Sequence, residues 1–201
     1  MSEIWVTPTD LIAKARIRNA ALDLHATKGE SNTTIREVAK MSGVSPGLVV
    51  HHFGSKEGLR KAVEQLVIER FLYALNAVPT KGTASEIVAA RDASVAEMLA
   101  RNPVLVDYLR RSVLDPSPVG HELLDRLMEF TLDQVRTLRA AGVGSNRTSE
   151  TTQAISILVR QLGHLLLEPM VEHLWLYAKG ECPSNENPPT VDVTVRPQIL
   201  T

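Results

Sequence analysis

The 201-residue sequence predicts an all-α protein: a small N-terminal three-helix domain followed by a larger C-terminal helical domain. Three observations carry that expectation. Helix starts recur with capping residues in place, at Thr34, Ser45, Ser55, Thr83 and Asn102. Between those starts, apolar residues return every three or four positions. Only one run alternates in the manner of a strand (Val191, Val193, Val195), and a lone strand cannot build a sheet.

The elements follow in order. Thr7, Pro8 and Asp10 mark a first helix with Ile17, Ala21 and Leu24 on one face, and Gly29 ends it. Thr34 and Glu37 have the spacing of a capping box, opening a helix whose apolar side is Ile35, Val38, Ala39 and Met41. Gly43 supplies a left-handed stop and Val44 fills the corner. Ser45 is a good N-cap and Pro46 suits the first helical position, where no amide partner is needed; a helix over 46–52 turns Val49 and Phe53 inward. Gly54 and Ser55 separate it from a longer helix carrying Leu59, Val63, Leu66, Val67, Phe71 and Leu75 as far as Pro79.

After a turn at 80–82, a helix begins near Thr83 and carries Ile87, Val88, Val95, Met98 and Leu99. Asn102-Pro103 and Ser117-Pro118 read as cap-plus-proline starts of two more, the second apolar at Leu124, Leu127, Met128, Leu132, Val135 and Leu138. A strongly apolar helix over 149–167 follows. Pro169 should break or kink it, leaving a last helix over 169–178 with Met170, Leu174 and Trp175. Prolines at 183, 188, 189 and 197 forbid helix in the tail, which should be extended. The expected domains are 1–54, 55–180 and an extended tail at 181–201.

The segment 33–59 therefore reads as helix, glycine turn, helix and the start of a third, the arrangement that places one helix in the major groove of DNA. Its helix N-termini near Ser45-Pro46 and Ser55-Lys56 favour phosphate, because unpaired amides and the helix dipole both point there. Gly47 lacks a side chain and lets the backbone approach DNA closely.

These residues resemble a known family. Residues 17–59 look like the DNA-binding domain of TetR-type (tetracycline-repressor-like) transcriptional regulators. The matching pieces are IRNAALDLHATKG, TTIREVA and GVSPGLVVHHFGSKEGL, of which the SKEGL ending is the most specific. The resemblance implies an all-α homodimeric regulator, by default a repressor, on a palindromic double-stranded DNA operator, with an effector bound in the larger domain. It implies DNA contacts at Thr34, Arg36, Ser45, Pro46, Gly47, Leu48, Val50, His51, His52 and Lys56. Three positions depart from the family's pattern: Val50 stands where tyrosine is usual, and His25 and Glu30 stand where aromatics are usual. Leu48 and Val50 could meet thymine methyls, leaving base-edge hydrogen bonds to Arg36, Ser45 and the histidines.

Net charge is −1, so the chain does not read as a sequence-blind polyanion binder. Residues 1–60 hold eight Lys/Arg against six Asp/Glu, a weak excess in the expected direction. A single cysteine, Cys182, excludes an intrachain disulfide and a cysteine zinc cluster. Without a secretory signal, a cytoplasmic location is the expectation. The apolar region 155–178 is interrupted by Arg160, His164, Glu168, Glu172 and His173, which argues against a membrane span.

The 149–167 helix is apolar around much of its circumference and should be covered by a second copy. The expected dimer residues are Ile155, Leu158, Leu162, Leu165, Leu166, Leu174 and Trp175, in a four-helix bundle. A hydrophobic or amphipathic effector would line up with Phe71, Met98, Tyr108, Met128 and Phe130, with Arg111 or His121 as polar contacts.

Two competing classes are an adaptor that has lost DNA binding, suggested by Val50, and a metal-assisted enzyme. For the latter, His164, Glu168 and Glu172 share a helical stripe, as do His121 and Asp125, but no third ligand group or HExxH motif accompanies them. No enzyme activity, metal or cofactor is expected.

Overall fold

The computed structural model describes residues 8–79, 81–116, 118–144, 146–178 and 187–195. All regular structure among them is α-helical, in eight helices. The chain divides into two compact units, one through Gly120 and one from His121.

In the first unit, α1 (Pro8–Lys28) is the central element. It packs against α2 (Ile35–Ser42), α3 (Pro46–Phe53), α4 (Lys56–Asn76) and α6 (Pro103–Val113), while α5 (Ala84–Ala100) lies against α4 and α6. Ile17, Ala20 and Ala21 are buried on α1, with Val38, Ala39 and Val49 from the two short helices and Leu59, Val63, Leu66 and Val67 from α4. Each such Ile, Leu or Val contributes roughly 1.5–3 kcal/mol by leaving water.

The local signals operate as their chemistry requires. The Thr34 amide donates to Glu37 Oε2 at 2.8 Å and the Glu37 amide returns to Thr34 Oγ1, closing the capping box. A second capping box, Thr83 with Glu86, opens α5. Gly43 adopts φ 67°, ψ 38°, and the Val44 amide donates to the Ala39 carbonyl at 3.0 Å, which ends α2 and frees the chain to turn. The Arg16 guanidinium of α1 donates to the carbonyl of Ser42 and braces this turn.

Two local expectations fail. Met41 is 54% exposed, because the inward face of α2 is Val38, Ala39 and Ser42, whose hydroxyl is satisfied by the Val38 carbonyl at 2.7 Å. Asn102 makes no side-chain cap for α6; its amide instead donates backwards to the Met98 carbonyl at 2.6 Å, finishing α5.

In the second unit, α7 (Pro118–Ala140) buries Leu123, Leu127, Thr131 and Val135 at four-residue steps, with Leu124, Met128, Leu132 and Leu138 half-buried beside them. Ser117, read as a cap, lies outside the described residues. Arg136 Nε to Glu150 at 3.0 Å and Arg139 Nε to Gln153 Oε1 at 2.9 Å tie the end of α7 to the next helix.

That helix, α8 (Glu150–Ala178), is continuous, contrary to the expected break into two. Pro169 lies inside it. A proline removes one amide and crowds one carbonyl, and the intact ladder on both sides carries the helix through that local loss. The extended segment 187–195 meets α8 where Val193 lies against Gly163, with Val191, Val193 and Val195 half-buried and Asp192 and Thr194 exposed. Gly163 makes this approach possible, since a Cβ there would come 2.9 Å from the Cβ of Val193.

Candidate nucleic-acid interface

Three capped helix starts belong to the N-terminal elements: Thr34 before α2, Ser45 before α3 and Ser55 before α4. Ser45 Oγ accepts from the Leu48 amide at 3.2 Å, and Ser55 Oγ accepts from the Gly58 amide at 3.0 Å. Helix α3 is anchored by Val49, its one buried residue, which leaves Ser45, Pro46, Gly47, Val50 and His51 exposed. Leu48 and His52 are half-buried. A Cβ on Gly47 would meet nothing nearer than its own cap, Ser45 Oγ at 3.9 Å, so the approach to that backbone is open. Val50 presents 47% of its surface, an apolar group aimed outward from the helix.

Thr34 and Arg36 are exposed at the start of α2. The Arg36 guanidinium has no hydrogen-bond or ion-pair partner among the described residues, which leaves its five donors available. Lys56 differs. Its ammonium donates to the Ser31 carbonyl at 3.1 Å, so a phosphate contact would share or replace that bond. The two histidine rings sit edge to face, 5.5 Å between centroids, and His52 Nε2 is buried without a partner. Lys14 of α1 lies 5.9 Å over the Phe53 ring and secures the far end of α3.

Behind this surface lies a polar core that the sequence reading missed. Arg60 and Glu64 of α4 are buried and paired, and Arg60 also binds Glu57 and reaches Glu30 at 3.5 Å. A usable signal was present. Arg60 and Glu64 fall on the same three-four stripe as Val63 and Val67, where a helix normally carries apolar residues. Burial lifts Glu30 to about 7, outweighing the opposing pull of Arg60. Burial, with Lys56 and Arg60 nearby, pulls His25 down to about 4. At the edge of the same region, hydrogen bonds from Lys28 and Thr34 hold the exposed Glu37 carboxyl at about 2.

The residues expected to line an effector site distribute over both units. In the first, Tyr108 is buried with its ring against His25, and Arg111 donates to the carbonyls of Ala26 at 3.1 Å and Thr27 at 3.0 Å. Both are thus engaged with α1. Phe71 and Met98 are half-buried. In the second unit, Met128 and Phe130 are half-buried and His121 is exposed.

The residues expected to pair two copies lie on α8. Leu165 is buried, Leu158, Leu162, Leu166 and Trp175 are half-buried, and Ile155 and Leu174 are exposed. Val159, Leu167, Met170, Leu176 and Tyr177 add to the exposed apolar surface. By length and composition α8 could also cross a membrane. The described residues contain no group of three His, Cys, Asp or Glu placed to hold a metal ion; His164 Nδ1 and Glu168 Oε1 pair with each other at 3.0 Å.

Comparison with known proteins adds identity to this geometry. Residues 17–63 match the family described as bacterial regulatory proteins, tetR family. The HTH-type transcriptional regulatory protein RaaS of Mycobacterium tuberculosis is 35% identical over 134 residues, covering 67% of this chain and 58% of that protein. The match thus spans less than two thirds of that relative's length. Among solved structures, a TetR family transcription regulator from Shewanella sp. PV-4 superposes with a TM-score of 0.66 at 20% identity, covering 84% of this chain and 90% of that one. Thermus thermophilus FadR, a TetR family transcriptional repressor in complex with lauroyl-CoA, gives 0.51 at 22% identity over 89% of this chain and 100% of that one.

Proposed function

The chain carries a TetR-type N-terminal domain, and we propose that it is a DNA-binding transcriptional regulator, acting as a homodimer on a palindromic operator and released by a small effector. The observation that carries this reading is the presentation of α3. One buried valine anchors it, while its capped N-terminus and open Gly47 are exposed, as is Arg36 of α2, which has no partner among the described residues. Donors of that kind reach phosphates and base edges at once, and Val50 and Leu48 offer apolar contact to thymine methyls.

A dimer supplies the second half of the site. Paired recognition helices about 34–36 Å apart read successive major grooves. The exposed apolar stripe of α8 is the surface proposed to pair, because such a stripe on a single copy leaves water against Met170, Leu174 and Tyr177. The effector is proposed to be hydrophobic or amphipathic. Lauroyl-CoA, held by one neighbour of the same fold, is a natural first compound to try. Release would come from favouring a dimer geometry that no longer fits the half-site spacing. A cytoplasmic location follows from the same reading.

The test is selection of bound fragments from random duplex DNA, followed by a screen for compounds that release them. Enrichment of a palindrome with salt-sensitive affinity supports the proposal. Retained dimerisation without any duplex preference would favour the adaptor reading instead.

A further inference from the structure

Gly163 stands in the interior of α8, where glycine is a poorer helix former than alanine because its backbone has more freedom to lose. The compensation comes from across space. A Cβ at this position would stand 2.5 Å from Cγ2, 2.9 Å from Cβ and 3.1 Å from Cγ1 of Val193, well inside the roughly 3.5–4.0 Å at which carbons pack. The missing side chain is a notch, and the branched end of Val193 fills it.

The notch lies in the middle of the apolar stripe. Val159, Gly163, Leu166, Met170, Leu174 and Tyr177 follow one another at three- and four-residue steps, so one side of the helix carries them all. Exposure rises along the stripe away from the notch: Val159 is 38% exposed and Leu166 half-buried, whereas Met170 is 58% and Tyr177 87% exposed.

The 187–195 segment has the matching pattern. Alternate residues of an extended chain share a side, and here Val191, Val193 and Val195 are half-buried while Asp192 and Thr194 are exposed. Chain length permits this seating within one copy. Gly163 lies fifteen residues before Ala178, about 22 Å along the helix axis; Val193 lies fifteen residues after it, a stretch that spans up to about 50 Å.

We propose that the 187–195 segment is a strap: Val193, seated at Gly163, covers the middle of the α8 stripe within its own copy and keeps a second copy from pairing across that turn. The exclusion rests on the reading that α8 pairs two copies; the strap does not. Its physical basis is space. Packed helices bring their axes to about 8–10 Å, which leaves no layer for a chain between them, so at the Gly163 turn Val193 and a second α8 are alternatives. Met170, Leu174 and Tyr177 stay bare for the second copy.

The experiment uses the full chain with isotope-labelled valine methyls and glycine. A nuclear Overhauser effect between the Val193 methyls and the Gly163 α-protons should be present in the wild type and lost in Gly163→Ala, although alanine favours the helix itself. In a sample mixing labelled and unlabelled copies, it should arise within a copy. No such contact in the wild type, or one found only between copies, would overturn the strap, whether or not the variant folds.

Val193→Asp leaves every residue of α8 in place while taking the strap off it. Sedimentation should then give a dimer dissociation constant about tenfold lower, the effect of roughly one further apolar side chain leaving water at the interface. An unchanged or weaker dimer would overturn the exclusion. A wild type that stays monomeric, or a dimer that survives Leu174→Asp, would sink the α8 pairing of the proposed function and the exclusion with it, while the contact between Val193 and Gly163 still decides the strap.

Discussion

Tyr108 of α6 stacks on His25 of α1, with ring centroids 6.3 Å apart and planes 28° from parallel. One turn of α6 further on, Arg111 caps the last carbonyls of α1. The final turn of α1 is therefore clamped by α6, and the clamp lies directly behind the loop that leads to α2.

Arg111→Ala should weaken the first unit. Two charge-assisted bonds to carbonyls are lost, and because the side chain is exposed the expected cost is about 1 kcal/mol, below the roughly 1.5–3 kcal/mol of a hydrogen bond to a charged group out of water. A urea midpoint unchanged from wild type would mean that water replaces the cap without penalty.

Gly43→Ala should cost about 1–2 kcal/mol, since φ is +67° and the new Cβ would stand 2.8 Å from Arg16 Nη2. Thermal unfolding reads this directly. In an Arg16→Ala background, which has already lost the brace to the Ser42 carbonyl, Gly43→Ala should cost less by the crowding part alone, leaving the cost of the left-handed backbone.

Arg36→Ala should weaken binding to a selected duplex by at least about tenfold while leaving the proposed dimer intact, because its guanidinium braces nothing among the described residues. Unchanged affinity removes Arg36 from the site. Lys56→Ala should lower affinity with little sequence dependence and reduce the salt slope by about one, provided Lys56 gives up Ser31 for a phosphate.

His25 and Glu30 make opposite contributions to stability as pH changes. His25 has its pKa lowered to about 4, so its stabilising neutral form is complete above the unfolded value of 6.5 and is lost as pH falls toward 4. Glu30 is raised to about 7 from 4.5, so its contribution is complete below 4.5 and is lost as pH rises toward 7. In the overlap the two slopes oppose one another. Relative to wild type, His25→Phe should gain stability as pH falls from 6.5 to 4.5, and Glu30→Gln should lose it over the same interval. Denaturant titrations at four or five pH values distinguish the two, and parallel profiles would refute the assignment.

If α8 pairs two copies as proposed, Leu174→Asp should dissociate that dimer and leave the helices intact, because the residue is 60% exposed in one copy and adds little to its packing. Sedimentation with circular dichroism checks both halves. A variant that remains dimeric would move the pairing surface away from this stretch of α8.

Much of the fold was legible in the sequence because its signals are local. A Thr34 hydroxyl three residues from an amide, a glycine at a left-handed turn and a proline at the first helical position act through bonds a few residues long, so order in the chain suffices to place them. The apolar stripes were similarly readable, down to Val49 as the anchor of α3. Of the candidate DNA contacts, Arg36 and the Ser45 helix start are exposed, while the bond from Lys56 to Ser31 spans 25 residues and had no local mark.

Only the tertiary structure decided that Arg60, Glu64 and His25 lie inside, with Glu30 leaning on them. A charge enters a core only where partners meet it: Glu57 and Glu64 reach Arg60 from α4 itself, but Glu30 arrives from the 29–33 loop, and Tyr108 covers His25 from α6. The same holds for Met41, excluded once Ser42 satisfied itself on Val38, and for Gly163, whose missing side chain acquires meaning when Val193 arrives from thirty positions downstream. What the sequence determined by itself was where helices begin and end. Which of their polar groups leave water depends on distances through space that no short stretch of chain contains.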